Sequence, residues 1–435
     1  MTYTYLKILF TRFLFSVLIT SFSLSSQASD TIRMMHYNLM YYTSQTPSDC
    51  TGDEAYLTAK DQNLKTVIHH ILPDVLCVCE MGSQTTFVDR FQNNVLNTDG
   101  INFYSSCPLT NYSGGTIANM LYYNNQKLGF HSYFHISTSY RDINAYKLYS
   151  KSQGLSSGDT VFITFLQAHL KAGSSSSDES ARTMQIERLL STLEQRDKFE
   201  NFVFSGDFNF YGASEPAYQK LLYYDNTLFA FYDPANLEGE WHNNSAYTRV
   251  HTQSTHTSAE SGECFATGGL DDRFDFILVS PFVYYGTYGA RSLNESYHAL
   301  GQDGTRFNRT INTPSNSLVP ATVANALYNA SDHLPVILDL VLDATLPVKD
   351  QEKKELLLHI ENPIQQNLVL IIHAEESADC RFQIFDVNGR CLQTFERALN
   401  TGANRIEQFF PFSSSFYFLV ITDSNGNKTV RKVVK

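Results

Sequence analysis

The sequence predicts an α/β fold of two packed sheets with helices on the outside, followed by a small β-sandwich. Three observations carry this. From Ile32 to about Leu342, strand-like and helix-like apolar runs alternate, with many strands and few helices. Short polar blocks stand at the ends of the apolar runs, as expected where loops from several strands converge over a rigid scaffold. Past Ala344 the composition shifts, and the last 80 or so residues show a different, alternating apolar pattern. At 435 residues the chain has room for one large core and an appendage.

The first element is a targeting segment. Lys7 and Arg12 accompany an apolar stretch from Phe13 to Leu24, and Ser26-Gln27-Ala28 has the small-x-small form of a cleavage site. The stretch is too short and too rich in Ser and Thr to anchor a membrane. Residues 1–28 are therefore expected to be a signal peptide, and residues 29–343 the main domain. No second apolar run is long enough for a stable membrane span, so a secreted or cell-surface protein is expected.

Thr31 to Met35 is a short, mostly apolar run. Leu64, Val67, Ile68 and Ile71 recur at helical spacing, and Pro73 stops that helix. Val75 to Val78 reads as a buried strand ending near Glu80. Ile117 to Tyr123 is strand-like, and Val161 to Ala168 is a strong strand with His169 just past its end. Gly173 to Ser177 reads as a loop. Ile186, Leu189, Leu190 and Leu193 form a helical stripe. Strands follow at 201–205, 274–279 and 336–342, with a long polar loop expected over 294–319. Pro347 and the charged run 349–355 mark a linker over 344–355. Residues 356–435 then form the small β-sandwich, with hairpin turns at 386–389 and 424–426.

Seven cysteines leave at least one thiol unpaired. Cys77 and Cys79 lie in an apolar run and read as buried thiols. Cys50, Cys107 and Cys264 lie among turn residues and are free to bridge, and Cys380 and Cys391 are candidates for a local pair. None has the spacing of a structural zinc site.

The polar blocks supply the chemistry. They are His36-Tyr37-Asn38, Glu80, His169-Leu170-Lys171, Gly206-Asp207-Phe208-Asn209, Asp275 and Ser331-Asp332-His333. Each alone is unremarkable: Gly-Asp and Asn are turn-formers, and a carboxylate at a strand exit is commonly a surface residue. Together they give the set that metal-assisted hydrolysis of a phosphate ester requires. A hard divalent cation takes carboxylate and amide oxygens, here from Asn38 and Glu80. Asp207 can orient or deprotonate water while the Asn209 amide holds a phosphate oxygen, the two pointing to one side of an extended segment. Asp332 and His333 are adjacent and so cannot serve one atom from the same side; Asp332 approaches a metal or water, and His333 takes another carboxylate, Asp275, as its partner. His169 can donate to a phosphate oxygen or assist the leaving group. The other histidines lack such company, and Asp271 and Asp272 read as a solvated turn.

These blocks resemble the endonuclease/exonuclease/phosphatase superfamily, which includes deoxyribonuclease I, abasic-site endonucleases, sphingomyelinases and inositol-phosphate phosphatases. The resemblance spans roughly residues 30–343 and also rests on Pro73-Asp74-Val75, Arg273-Phe274-Asp275-Phe276-Ile277 and Leu334-Pro335-Val336. It implies a four-layer α/β sandwich (deoxyribonuclease I-like) and a Mg²⁺ or Mn²⁺ requirement. It carries over Asn38, Glu80 and Asp332 as metal-site residues, and His169, Asp207, Asn209, Asp275 and His333 as catalytic ones. Met40-Tyr41-Tyr42 offers no further carboxylate where some members have one, which leaves one or two cations open.

The tail resembles the C-terminal sorting domain of type IX secretion cargo, found in Bacteroidetes. The residues are Asn362-Pro363, Ile384 to Arg390, Tyr417-Phe418-Leu419 and the terminal Lys432-Val433-Val434-Lys435. This implies a type IX secretion machinery as partner. A sugar-binding sandwich would show a platform of exposed aromatics, and the tail has no Trp.

The expected function is an exported, metal-dependent phosphodiesterase, foremost a nuclease with DNA or RNA as a transient substrate. A sphingomyelinase-like lipid phosphodiesterase and a phosphomonoesterase are the enzymatic alternatives, and a surface adhesin the non-enzymatic one. The net charge of -12 argues against tight, passive nucleic-acid binding but leaves room for an enzyme that turns nucleic acid over.

Overall fold

The computed structural model describes residues 30–43, 52–152, 160–196, 200–259, 264–342, 357–360, 364, 366–374, 376–386, 390–413, 416–424 and 428–435. The expected signal peptide, the linker, Cys50, the Asn362-Pro363 pair and most of the two expected tail turns lie outside them.

In chain order the elements are β1 (Asp30–Tyr42), α1 (Glu54–Ile71), β2 (Val75–Gly82), α2 (Thr85–Phe91), β3 (Tyr104–Ser106), β4 (Ile117–Asn124), β5 (Leu128–Ile136), β6 (Ile143–Ser150) and β7 (Phe162–His169). There follow α3 (Ser176–Gln195), β8 (Phe202–Asp207), α4 (Pro216–Leu222), β9 (Asp275–Val279), α5 (Pro281–Tyr285), β10 (Ala290–Ala299), α6 (Ala321–Ala330) and β11 (Val336–Leu342). The tail contributes β12 (Leu357–Ile360), β13 (Asn367–Ala374), β14 (Ala378–Phe385), β15 (Cys391–Leu399), β16 (Gly402–Phe409), β17 (Phe416–Thr422) and β18 (Lys428–Val434).

The first sheet has the order β10-β11-β1-β2-β4-β3 and the second β5-β6-β7-β8-β9. They pack face to face, β1 against β8 and β9, and β2 against β7 and β8. Alternation along each strand serves the two faces. In the second sheet Phe165, Val203 and Ile277 point inward to the core shared with the first sheet. Leu166, Phe204 and Phe276 point outward to a second core with α3 and α4. Helices α1 and α6 pack together and contribute to the first core. The result is the four-layer α/β sandwich. Burial on both faces explains why β2 and β8 read as continuous runs; every residue of each is buried.

Helix α3 starts at Ser176, within the segment expected to be a loop. Ser175 caps it, and Asp178 closes a capping box. Its stripe Ile186, Leu189, Leu190 and Leu193 is fully buried, worth about 6–12 kcal/mol of apolar transfer before entropy is charged. Gly206 is required by close approach: a Cβ there would meet the Ala168 carbonyl and the Phe208 ring at 2.1 and 2.6 Å. Residues 294–299, expected in a loop, belong to β10, which pairs along β11.

The tail forms two sheets, β12-β13-β16 and β15-β14-β17-β18, around a core of its own that includes Leu370, Phe382, Leu419 and Val433. Cys380 and Cys391 do not pair. Cys380 stands opposite Arg397 and Cys391 opposite Phe385, toward opposite ends of the β14–β15 ladder, and both thiols are free. Cys107 is likewise free and buried, whereas Cys264 is disulfide-bonded.

Candidate active site

The strand register assembles the site. Strands β7 and β8 run parallel with His169 beside Asp207, and β8 pairs antiparallel with β9 with Asp207 beside Asp275. One row of the second sheet thus presents an imidazole and two carboxylates. Facing it, β1 lies between β11 and β2, with Asn38 opposite Cys79 and Glu80 next in line. His169 is the last residue of its strand rather than past its end.

Two carboxylates meet across the sheets. The Asn38 amide Nδ2 donates to Glu80 Oε1 and to Asp207 Oδ2, each at 3.0 Å. The Asn38 oxygen is turned away and accepts the Met40 N–H at 2.8 Å. Asn38 therefore braces the carboxylates with its nitrogen and does not present the oxygen expected of a metal ligand. Glu80 Oε2 accepts the Tyr41 N–H at 2.9 Å. His169 Nε2 lies 3.9 Å from Glu80 Oε1 and 3.6 Å from Asp207 Oδ2. Glu80, His169 and Asp207 are all buried, with one donor atom each within 4.8 Å of the others. The backbone is bent to deliver two of the polar residues: Glu80 and Asn209 have φ of 58° and 54°, a left-handed conformation uncommon for non-glycine residues.

Next to this cluster stands an ion pair. His333 Nδ1 lies 2.7 Å from Asp275 Oδ2, both buried. The other nitrogen of His333, Nε2, lies 3.8 Å from Asp207 Oδ2 and 3.9 Å from Asp332 Oδ1. The Ser331 hydroxyl donates to the Asn38 carbonyl at 2.8 Å and accepts the His333 N–H at 3.1 Å. That bridge ties the approach to β11 to the end of β1.

Burial and charge set the proton affinities. Burial raises the Asp207 carboxyl to about 7, helped by the neighbouring charges of Asp275 and Glu80. Burial, with Asp332 nearby, also raises Glu80. Burial alone would lower His333, but the carboxylates of Asp275 and Asp207 outweigh it and hold it well above the usual histidine value. Burial likewise works against Asp275, yet the charge and hydrogen bond of His333 hold that carboxyl well below its usual range. His169 is pushed well below the usual value by burial, then by Arg141 and His333. So His333–Asp275 is an imidazolium–carboxylate pair, His169 is neutral, and Glu80 and Asp207 face one another without a Lys or Arg ion-pair partner among the described residues.

The structure brings Asn38, Glu80, His169, Asp207, Asp275 and His333 together. Asp332 joins them through His333: its Oδ2 accepts the Ala266 N–H at 2.8 Å, and its buried Oδ1 lies 3.9 Å from His333 Nε2. Asn209 does not extend alongside Asp207 as expected. The left-handed turn folds it back, so its N–H reaches Asp207 Oδ1 at 3.1 Å and its side chain lies 3.5 Å from the Leu170 carbonyl. Lys171 turns to Asp178 at 2.6 Å, away from the cluster. Asp272 is not a free turn residue; it accepts from His242 at 2.6 Å.

Three residues escape sequence reasoning. His36 Nε2 stands 3.6 Å from Asp275 Oδ1, so this carboxylate lies between two buried imidazoles; the residue sits in the first motif, but nothing in the sequence pairs it with Asp275. Arg141 donates to the His169 and Leu170 carbonyls, each at 3.1 Å, and lines a small cavity with Glu80, His169, Asn119 and Asn144. Gln253 reaches His333 from a loop with no recognisable pattern.

No protein-family model matches the chain, and no curated protein matches it in sequence. Solved structures similar to it include the human Nocturnin catalytic domain with bound sulfate anion, at 15% identity over 72% of this chain and 97% of that one, with a TM-score of 0.43. An endonuclease/exonuclease/phosphatase from Beutenbergia cavernae has 14% identity over 93% and 100%, with a TM-score of 0.43. TDP2 from D. rerio, complexed with a single-strand DNA product, has 11% identity over 71% and 98%, with a TM-score of 0.40.

Proposed function

We propose that this chain is a divalent-metal-dependent phosphodiesterase that cleaves nucleic acid. The observation that carries the reading is the buried Glu80–His169–Asp207 cluster set beside the His333–Asp275 ion pair. Two carboxylates held together without a Lys or Arg ion-pair partner among the described residues, with the neutral His169 beside them, fit Mg²⁺ or Mn²⁺. When bound there, such an ion would offset the carboxylate charge and polarise a phosphate oxygen.

The chain's own groups do the rest. Asp275 fixes His333 with its Nδ1–H engaged, so Nε2 carries the proton that meets phosphate or returns to water. Asp207 is the carboxylate placed to orient and deprotonate a water. Its Oδ1 is held by the Asn209 N–H, and its Oδ2 faces His333 and His169. His169, neutral, offers hydrogen-bonding capacity to a phosphate oxygen without adding charge.

The cavity rim supports nucleic acid as the diester. Tyr112 and Tyr140 are exposed. Tyr112 stacks on His135 with ring centroids 3.9 Å apart, and Lys171 Nζ lies 5.9 Å from the Tyr140 ring. The Tyr112 N–H is held by Asp142, and Tyr140 precedes Arg141; both partners line the cavity beside Glu80 and His169. Exposed rings at such a rim suit the stacking of bases. Export by a cleaved signal peptide, with the β-sandwich tail read by a type IX machinery, completes the proposal and rests on the sequence resemblance. Among the described residues no helix is long and apolar enough to cross a membrane.

The test offers purified protein plasmid DNA, RNA and sphingomyelin, each with Mg²⁺ and with EDTA, next to the His333→Ala variant. Metal-dependent cutting of DNA or RNA, lost in the folded variant, supports the reading. Cleavage of the lipid alone moves the protein to the phospholipid branch. Normal turnover by His333→Ala sinks the mechanism.

A further inference from the structure

His333 spends Nδ1 on Asp275, so Nε2 is its only atom left for a reacting group. That atom is not open. The Gln253 side-chain nitrogen lies 2.7 Å from it and, at the same time, 3.2 Å from Asp332 Oδ2. The amide NH₂ donates to Asp332 Oδ2, so the same nitrogen that is anchored there packs against His333 Nε2. Asp332 Oδ2 takes a second donor from the Ala266 N–H at 2.8 Å. With Oδ2 doubly held, Asp332 keeps Oδ1 free, 3.9 Å from His333 Nε2.

The backbone of Gln253 is fixed as firmly as its side chain. Its N–H donates to the Asp272 carbonyl at 3.1 Å, and its carbonyl accepts the Asp272 N–H at 3.0 Å. It also bridges, in antiparallel sense, to His333 itself. On either side, Leu334 N–H donates to the Thr252 carbonyl at 2.8 Å and Thr255 N–H to the Asp332 carbonyl at 3.0 Å. The Thr252 hydroxyl accepts the Asp275 N–H at 3.2 Å. The segment 252–255 thus splints the start of β9 to the loop before β11, which carry Asp275 and His333.

We propose that Gln253 is a positioning residue that joins Asp332 and His333 into one rigid unit through its side-chain amide. Its role is to keep the imidazole Nε2 and the free Asp332 oxygen aimed at the same reacting group. This rests on the hydrolase reading above for its catalytic consequence, but the contact itself can be tested without turnover.

The experiment compares the full chain with Gln253→Ala and Gln253→Glu. Glu keeps the length and removes the donor. For hydrolysis of a defined oligonucleotide with Mg²⁺, both variants are expected to lose about 10- to 100-fold in kcat, the order that a small misplacement of a catalytic group costs, with KM changed by less than about threefold. In parallel, ¹⁵N signals of His333 are recorded in metal-free protein. Loss of the Gln253 contact at Nε2 moves that nitrogen's resonance in Gln253→Ala, while His251 serves as an unmoved reference. A rise in KM at constant kcat would make Gln253 a substrate contact and overturn the proposal. So would an unmoved His333 signal in a variant with wild-type thermal stability. If the wild-type chain cuts no oligonucleotide, the hydrolase reading fails, and the His333 resonance alone decides whether Gln253 holds that ring.

Discussion

Replacing Asp207 by Asn separates stability from function. The carboxyl has an ordinary pKa of 3.8 and is raised to about 7 in the fold by burial and by the charges of Asp275 and Glu80. At pH 8 it is ionised in both states, and holding it ionised in the fold costs about 4 kcal/mol. Asn removes that cost but has one carbonyl oxygen where two donors, Asn38 Nδ2 at 3.0 Å and Asn209 N–H at 3.1 Å, each had an acceptor. The lost bond returns about 1–3 kcal/mol. Metal-free Asp207→Asn is therefore expected to be about 1–3 kcal/mol more stable than wild type at pH 8, a rise in Tm of roughly 2–5 °C for a domain of this size. Below about pH 3 the group is protonated in the folded and unfolded chain alike, and the advantage is gone by then. As pH rises, the unfolded chain ionises first, near 3.8, and the folded one only near 7, so wild type falls behind across that window. Melting curves in EDTA between pH 4 and pH 8 read this directly. Added Mg²⁺ should restore wild type, by about 2.7 kcal/mol at a hundredfold excess over Kd, and do little for the variant. The same variant should be nearly inactive. A variant no more stable than wild type in EDTA at pH 8, or an advantage that does not change with pH, would refute the electrostatic account of the cluster.

Other predictions follow from single contacts. Asp275→Asn should lower kcat by about 10²–10⁴-fold. It should also move the alkaline fall of activity to lower pH, because the carboxylate helps hold the His333 proton; an unchanged pH–rate profile would contradict this. Chelation should abolish hydrolysis, and Mg²⁺ or Mn²⁺ should restore it in proportion to occupancy. Arg182→Met breaks the buried Arg182–Glu215 pair, held by two 2.9 Å bonds, and should cost about 3–5 kcal/mol in denaturant melts without acting on the chemistry. Gly206→Ala forces a Cβ onto the Ala168 carbonyl and should yield little folded protein, seen as loss of soluble expression.

Much of the site was legible because it is written at strand ends. Glu80, His169, Asp207 and Asp275 each close or open an apolar run, and the sheet register places them side by side. Misreadings came where a local signal was overruled. Gly173 to Ser177 has loop composition, yet Ser175 and Asp178 form a capping box and begin α3. Asp207 and Asn209 have strand spacing, yet a left-handed turn at Asn209 breaks the alternation. The residues that went unseen, His36, Arg141 and Gln253, act through side chains distant in sequence or through backbone carbonyls, and no periodicity encodes such contacts.

The sequence by itself determined the layers. Apolar period and run length decide which segments are buried on one face or two, and that is a property of each segment alone. It also determined which groups were available: carboxylates, amides and imidazoles in a fixed order. Only the tertiary structure decided what each group does. The Asn38 amide turns its nitrogen, not its oxygen, to the carboxylates because its oxygen is claimed by the Met40 N–H. Asp332 presents only one oxygen toward His333 because Ala266 and Gln253 hold the other. Proton affinity is decided there too, since Asp207 and Asp275 are the same residue type in equally buried settings. One faces carboxylates and is raised; the other holds the His333 ring at 2.7 Å and is lowered. Charge at a site is a sum over neighbours, and neighbours are set by the fold.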